Sequence, residues 1–245
     1  MLNTRADGEA RRPAPAGGER SLLSNIKLFE GLSAGQLTAL EVASRYRRFS
    51  AHETIIERDS VSTDVFFLVR GSARVVNYSL SGKEITFDDL HEGQFFGELS
   101  ALDGRPRSAT VIATEDSLIV SLKARVFLDL VLETPPLAQR LLLRLAGMVR
   151  AADDRIMDLS TLAAINRVQA ELLRQARAEG GDRNAAVIEP IPTHSDFASR
   201  VSTTRETVAR VLNDLARQGI VERKRDALMI HDMQKLKQMV EDVRG

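Results

Sequence analysis

Residues 93–111 read GQFFGELSALDGRPRSATV and gather most of the side chains in this chain that could do chemistry. Arg107 offers a planar fork of N–H donors that matches phosphate oxygens, and Ser108 adds a hydroxyl. Glu98 supplies a carboxylate that can accept from a sugar hydroxyl. Gly97 lets the backbone approach a ligand with no side chain in the way, while Phe95 and Phe96 bury the approach. Residues 99–102, beginning at Leu99, fit a short helix whose free N–H groups favour an anion. Such parts suit a ligand with one phosphate charge, a ribose hydroxyl and a purine, which is the makeup of a cyclic nucleotide. The competing reading is a β-hairpin with an Arg–Glu surface pair. That arrangement requires neither the flanking glycines nor Pro106.

A second cluster lies at residues 193–225. Two helical patterns are joined there by a short break. Thr193, with Asp196 three residues later, makes a capping-box start, and Phe197, Ala198 and Val201 supply a packing face. Thr203 with Glu206 is expected to start the second helix. Val208, Val211, Leu212 and Leu215 give that helix an apolar face at i, i+3, i+4, i+7. Glu206, Arg210, Asn213 and Arg217 occupy the other side. Arg205 sits near the N-terminus, where a recognition helix meets base edges. Arg pairs bidentately with guanine, and Glu accepts from cytosine. Residues 220–222 and 227–230 read as a two-stranded wing, with Arg223, Lys224 and Arg225 at its tip to meet phosphate. From Arg200 to Arg225 seven basic residues face three acidic ones, a local excess of four on a chain of net charge zero. That is the electrostatic footprint of nucleic-acid binding. The competing reading is a solvated helix face with a Glu206–Arg210 pair.

Both clusters need scaffolds. A chain of 245 residues, 43% hydrophobic, can build one or two cores. Residues 22–40 look helical, with Leu32 and Ser33 before a short helix carrying Leu37 and Leu40. Residues 46–120 are short β-rich runs, with strands expected at 65–69, 73–78 and 85–90. Gly71, Gly82, Gly93 and Gly104 recur every eleven residues, as turns between the strands of a roll. Pro135 and Pro136 open a long helix, where proline is tolerated. Leu141, Leu145, Met148, Ala152, Arg155, Leu159 and Leu162 alternate in steps of four and three. That heptad seam suggests two parallel helices in a dimer. A second stripe of Leu142, Val149 and Ile156 is expected to cover the β-domain. A helix at 164–178, a polar loop at 179–184 and a strand at 187–191 follow. The expected division is a tail at 1–20, a β-domain at 21–133, a dimerisation helix at 134–163 and a DNA-reading domain at 164–245.

Several classes are excluded. There are no cysteines, so there is no disulfide framework and no Cys-ligated metal; this suits a cytosolic protein. No apolar run reaches membrane-span length. The first twenty residues lack the apolar core of a secretory signal and read as a disordered tail rich in Arg, Ala, Gly and Pro. His52, His91, His194 and His231 lack zinc spacing, so no metal is expected. One His can hold haem, but Arg107 points to phosphate instead. His194, Ser195 and Asp196 are triad types, but adjacent residues do not converge on one point. Nothing assembles a nucleophile, a base and an oxyanion site, so an enzyme is not expected.

Residues 96–111 resemble the phosphate-binding cassette of cyclic-nucleotide-binding domains, F-G-E-L-x-x-L…P-R-x-A-T-V. They match it at Phe96, Gly97, Glu98, Leu99, Leu102, Pro106, Arg107, Ala109, Thr110 and Val111. Residues 202–210, STTRETVAR, resemble the recognition helix of the cyclic-AMP receptor (CRP/FNR) superfamily, S-R-E-T-V-x-R. Thr204 replaces the usual Ser, and Ser202 stands where many members have a turn Gly. The resemblance spans about residues 22–232. It implies an α+β chain: an N-terminal jelly-roll-like β-roll, a long dimerisation helix and a C-terminal winged helix-turn-helix. It also implies a cytoplasmic homodimer on an inverted repeat of double-stranded DNA with TGTGA-like half-sites, with RNA polymerase as a partner. Ligand contacts would come from Gly97, Glu98, Leu99, Arg107, Ser108 and Ala109. DNA contacts would come from Thr193, Thr204, Arg205, Glu206, Arg210, Arg223 and Lys224.

Cyclic AMP is the family's usual ligand. Aligned without gaps, Ala152 and Asp153 fall where the best-known member has Thr and Ser on adenine. Ala152 cannot hydrogen-bond through its side chain, and an ionised Asp153 only accepts. Guanine offers N1–H and N2–H₂, so cyclic GMP is the alternative ligand. Two further readings stay open: a family regulator with a different ligand or none, and a nucleotide-responsive adaptor acting through protein contacts.

Overall fold

The computed structural model describes residues 21–178 and 184–244. The expected tail at 1–20, and residues 179–183 of the expected polar loop, lie outside them. The chain forms two compact units. Of the described residues, one takes those up to Tyr78 together with Thr86–Ala146; the other takes Ser79–Ile85 and those from Gly147 onward.

In the first unit, the helical pattern expected over 22–40 resolves into two 3-10 turns, Leu22–Asn25 and Lys27–Phe29, and a helix α1 (Ala34–Ala43), which carries Leu37 and Leu40 after Leu32 and Ser33 as expected. The chain breaks because Ile26 is extended and Gly31 is left-handed. Ser33 then starts α1 afresh through a reciprocal capping box with Gln36. Strands β1 (Arg45–Phe49), β2 (Thr54–Ile56), β3 (Val65–Arg70), β4 (Ser72–Tyr78), β5 (Glu84–His91) and β6 (Phe95–Phe96) follow. Then come α2 (Glu98–Asp103), β7 (Thr110–Ala113), β8 (Ser117–Leu122) and α3 (Ala124–Glu133). The strands build two four-stranded sheets, ordered β1-β8-β3-β6 and β2-β7-β4-β5.

β3 explains how two cores share one sheet. Its sequence VFFLVR buries both faces. Val65, Phe67 and Val69 join Phe29, Phe127 and Leu137 under the helices. Phe66 and Leu68 join Ile56, Phe96 and Val111 between the sheets. Period-two alternation puts successive side chains on opposite faces, so a strand with a core on each side reads as an unbroken apolar run. The four glycines spaced by eleven all have positive φ, which only glycine adopts freely.

Helix α4 (Pro135–Thr161) begins at the expected proline pair. Its packed face is not the expected one. Leu137 and Leu141 are buried in the β-domain core. Leu142, Val149 and Ile156, expected to cover that domain, are 66%, 61% and 61% exposed. The reason is rotational: each residue advances about 100° around a helix. Once Leu137 and Leu141 face inward, position 142 and its heptad partners swing out. Leu162, the last residue of the expected seam, is buried in the core of the second unit.

That second unit continues with α5 (Ala164–Ala178), β9 (Ala186–Ile188), α6 (His194–Arg200), α7 (Arg205–Arg217), β10 (Val221–Arg223), β11 (Leu228–Ile230) and α8 (Met233–Arg244). The strands form an antiparallel sheet ordered β10-β11-β9. Val168, Leu172, Phe197, Val208, Val211, Leu215, Leu236 and Val240 fill one core. Helices α3 and α8 have no counterpart among the expected elements. Both are short amphipathic helices with buried pairs at i, i+4: Phe127 with Val131, and Leu236 with Val240.

Candidate ligand site and DNA-reading helices

The cassette closes around Arg107. Gly97 has φ +82°, so the chain turns sharply from β6 into α2. A Cβ at Gly97 would meet Arg107 Nη1 at 2.8 Å and the Asp64 carbonyl at 3.1 Å. Only glycine allows the guanidinium to lie against this turn. Arg107 is 2% exposed. Its Nη1 donates to the Gly97 carbonyl at 2.8 Å, its Nη2 to the Asp64 carbonyl at 2.6 Å and its Nε to Ser62 Oγ at 3.0 Å. The ring of Phe66 lies 5.4 Å from the guanidinium carbon. A guanidinium has five N–H groups, so two remain for an incoming anion. Burial pulls the guanidinium's pKa down, with Asp64 and Glu98 opposing that pull.

Glu98 opens α2 and is 3% exposed. Burial pushes its carboxyl up. A hydrogen bond at its own backbone pulls it back, followed by the charges of Arg144 and Arg107, while Asp88 adds to the upward push. Leu99 is exposed on the same helix. Ser108 is exposed and Ala109 half-buried beside Arg107. Phe95 and Phe96 do not line an approach: Phe95 is buried under the helices and Phe96 between the sheets. They anchor the strand that carries Gly97.

Four residues at this site are not among those the sequence singles out. Ser62 and Asp64 hold Arg107 from the loop before β3. Asn77 on β4 donates from Nδ2 to the Ser108 carbonyl at 3.3 Å. Its Oδ1 is buried with no partner among the described residues. Arg144 on α4 places its guanidinium carbon 5.1 Å from the Phe95 ring. Its Nε is likewise buried and unpartnered. A polar residue breaking an apolar strand (ARVVNY) and a lone cation in an apolar helix run (LLLRLAG) were the available signals. A buried, partly engaged guanidinium, a buried carboxylate and an orphaned acceptor fit a ligand with an anionic phosphate and donor groups. Ala152 and Asp153 are exposed on the part of α4 that belongs to the second unit.

In the second unit, Thr193 caps α6 through the expected capping box. Its hydroxyl donates to Asp196 Oδ2 at 2.8 Å and accepts from the Asp196 N–H at 3.1 Å. The second helix starts one residue later than expected. Thr204, not Thr203, is the N-cap, and accepts from the Thr207 N–H. Thr203 is buried instead. Ser202, in the turn between the helices, has φ +52°, the conformation that glycine serves elsewhere. Arg167 of α5 holds this turn, donating to the carbonyls of Val201, Ser202 and Leu162.

Arg205, Glu206 and Arg210 are exposed on α7, while Val208, Val211 and Leu215 face the core. Hydrogen bonds from its own backbone and then from Thr204 hold the Glu206 carboxyl below its usual range. Arg223 and Lys224 are exposed at the wing. Lys224 Nζ donates to Glu222 at 2.5 Å, and Glu222 also meets His231 at 3.0 Å. The positive tip is therefore partly balanced by Glu222.

Two units with these features have a shared precedent. Residues 46–134 match the family model described as a cyclic nucleotide-binding domain, and residues 166–239 match the Crp-like helix-turn-helix domain. The "Cyclic AMP receptor protein" of Thermus thermophilus is 31% identical over 194 residues, covering 79% of this chain and 87% of its own length. The chain belongs to the CRP/FNR family of transcriptional regulators. Among other relatives, the "cAMP-activated global transcriptional regulator CRP" of Escherichia coli is 25% identical over 175 residues. That alignment covers 71% of this chain and 83% of the relative. A solved mutant of CooA from Carboxydothermus hydrogenoformans superposes with a TM-score of 0.73 at 25% identity, covering 82% of this chain and 90% of that one. Members of this family are regulators rather than enzymes. No group of metal-binding side chains occurs among the described residues.

Proposed function

We propose that this chain is a homodimeric, sequence-specific DNA-binding regulator whose affinity for DNA is set by a cyclic nucleotide. The observation that carries the ligand assignment is Arg107. It is buried, and the groups it donates to are two neutral carbonyl oxygens and a hydroxyl. A buried charge without a bonded counter-charge is costly; a phosphate anion supplies that charge. Arg107 and Ser108 then hold the phosphate, with Gly97, Leu99 and Ala109 shaping the cradle, and Glu98 accepts from the ribose hydroxyl.

Cyclic AMP is the ligand named for the relatives. Asp153, exposed on α4, can only accept when ionised and favours the two donor groups of guanine, so cyclic GMP is the second candidate. The exposed stripe of Leu142, Val149 and Ile156 supports pairing of α4 with α4 of a second copy. A ligand that binds two dimer arrangements unequally shifts their populations. The active arrangement sets two α7 helices about 34 Å apart, one helical turn of DNA. Arg205, Glu206 and Arg210 then read each half-site. Thr193, Thr204, Arg223 and Lys224 hold phosphates.

The test is calorimetric titration with cyclic AMP and with cyclic GMP, with Arg107→Ala alongside. Micromolar binding of one nucleotide is expected, weakened by roughly 10- to 100-fold in the variant, the range for a lost charged hydrogen bond. Binding of neither nucleotide would sink the sensor assignment.

A further inference from the structure

Arg107 touches an aspartate without bonding its carboxylate. Its Nη2 donates to the main-chain carbonyl of Asp64 at 2.6 Å. The side chain of that same residue is turned to Lys123. Lys123 Nζ donates to Asp64 Oδ1 at 3.1 Å and to Oδ2 at 3.0 Å. The strand register makes this pairing. Val65 of β3 stands opposite Leu122 of β8 in an antiparallel ladder. The next pair outward is therefore Asp64 and Lys123, and opposite charges facing each other across two strands attract.

The local rules for a helix start do not account for Lys123. It is the N-cap of α3 and makes no side-chain capping bond there. Ser, Thr, Asp and Asn serve that position, and the positive end of the helix dipole disfavours a cation. Nor does stability account for it: its side chain is 60% exposed and that of Asp64 22%, and an ion pair so open to water adds little. What the contact does alter is the surroundings of Arg107. The carboxylate and the carbonyl of Asp64 hang from one Cα. Rotation about χ1 moves the carboxylate between staggered positions, one of which is held by Lys123. A carboxylate released towards the guanidinium would form a strong bidentate pair with it. With Asp64 held by Lys123, Arg107 bonds only two carbonyl oxygens and the Ser62 hydroxyl among the described residues.

We propose that Lys123 is a positioning residue for the ligand: by holding both oxygens of the Asp64 carboxylate, it keeps that anion off Arg107 and leaves the guanidinium to the ligand phosphate. This rests on the reading of the cassette as a cyclic-nucleotide site. Without Lys123, Asp64 becomes an internal competitor that the phosphate must displace.

The experiment is calorimetric titration with cyclic AMP and with cyclic GMP of the unsubstituted chain, Lys123→Met, Lys123→Arg, Asp64→Asn and the Lys123→Met/Asp64→Asn pair, with melting temperatures measured alongside. Lys123→Met is expected to weaken nucleotide binding about fivefold, the upper end for a partly exposed charge pair. Lys123→Arg keeps the cation and most of the affinity. Asp64→Asn keeps the main-chain carbonyl that Arg107 uses and removes the competing anion. It is therefore expected to tighten binding, and to restore it in the Lys123→Met background. If the pair serves only to clasp β3 to β8, breaking it from either side weakens binding, and the double variant is no better than either single one. That result overturns the inference and leaves the cassette assignment intact. A weaker Lys123→Met whose melting temperature also falls, with neither loss repaired by Asp64→Asn, has the same meaning. If the unsubstituted chain binds neither nucleotide, the assignment and this inference fall together.

Discussion

In the proposed ligand site, Glu98 sets fold against function at the level of one side chain. Burial raises its carboxyl above the usual range, and the opposing hydrogen bond and arginines do not fully restore it. A group with a raised folded pKa contributes its stability below the unfolded pKa and loses it as pH rises through the folded value. At neutral pH the ionised Glu98 therefore weakens the fold. Glu98→Gln is expected to raise the melting temperature at pH 7, because it removes the buried charge. The gain should vanish below about pH 4, where both states are protonated. Thermal unfolding from pH 4 to pH 8 checks this, and an unchanged melting temperature at pH 7 refutes it. Glu98 and Arg107 were legible in the sequence because their spacing within one short segment is itself the signal. Ser62, Asn77 and Arg144 were not. They reach the site from a loop, a β-strand and a helix distant along the chain, and their residue types alone do not announce a ligand.

At the scale of elements, the turn between α6 and α7 shows a local rule broken and supported from outside. Ser202 has φ +52°, which costs an L-residue roughly 1–2 kcal/mol. Arg167 compensates by donating to the Val201, Ser202 and Leu162 carbonyls. Glycine would remove the strain but lose about 0.5–1 kcal/mol through backbone entropy. Ser202→Gly is thus expected to stabilise the chain by roughly 0.5 kcal/mol, the difference between those ranges. Urea unfolding monitored by circular dichroism measures it, and a lower midpoint contradicts the strain assignment. The departure at Ser202 was visible in the sequence as a missing turn glycine; its supporting arginine was not. Long periodic elements such as α5 and α7 were legible because their apolar spacing repeats several times. The start of α7 falls one residue from its expected place, since Thr203 and Thr204 offer the same capping chemistry and only packing separates them. The packed face of α4 also differs from the expected one. Two apolar stripes lie one residue apart there, and only the β-domain decides which turns inward.

On the scale of the whole molecule, a neutral chain that binds a polyanion does so through local charge, and in the proposed dimer through duplication as well. The excess of four positive charges at residues 200–225 gives one copy a modest hold on DNA, because each neutralised phosphate adds only one step of counterion release. In the proposed dimer, two copies joined along α4 would double the phosphate contacts and present two recognition helices to one inverted repeat. The exposed stripe of Leu142, Val149 and Ile156 is the surface available for that union. Apolar residues repeating every seventh position on a helix pair readily across a seam. Val149→Glu with Ile156→Glu would place four carboxylates in that seam while leaving the buried cores untouched. Sedimentation should then show a monomer where the proposed pairing makes the unsubstituted chain a dimer, with helical content unchanged. Affinity for an inverted-repeat duplex should fall by about 100-fold, since each half-site is then bound alone and the intramolecular advantage of linkage is lost. Nucleotide titration of the same variant separates two mechanisms. Retained affinity would mean that each β-domain carries a complete site. A parallel loss of nucleotide affinity would mean that the second α4 contributes to it. An unsubstituted chain that remains monomeric while holding both half-sites would instead remove α4 pairing from the mechanism and leave DNA itself as the element that brings two copies together.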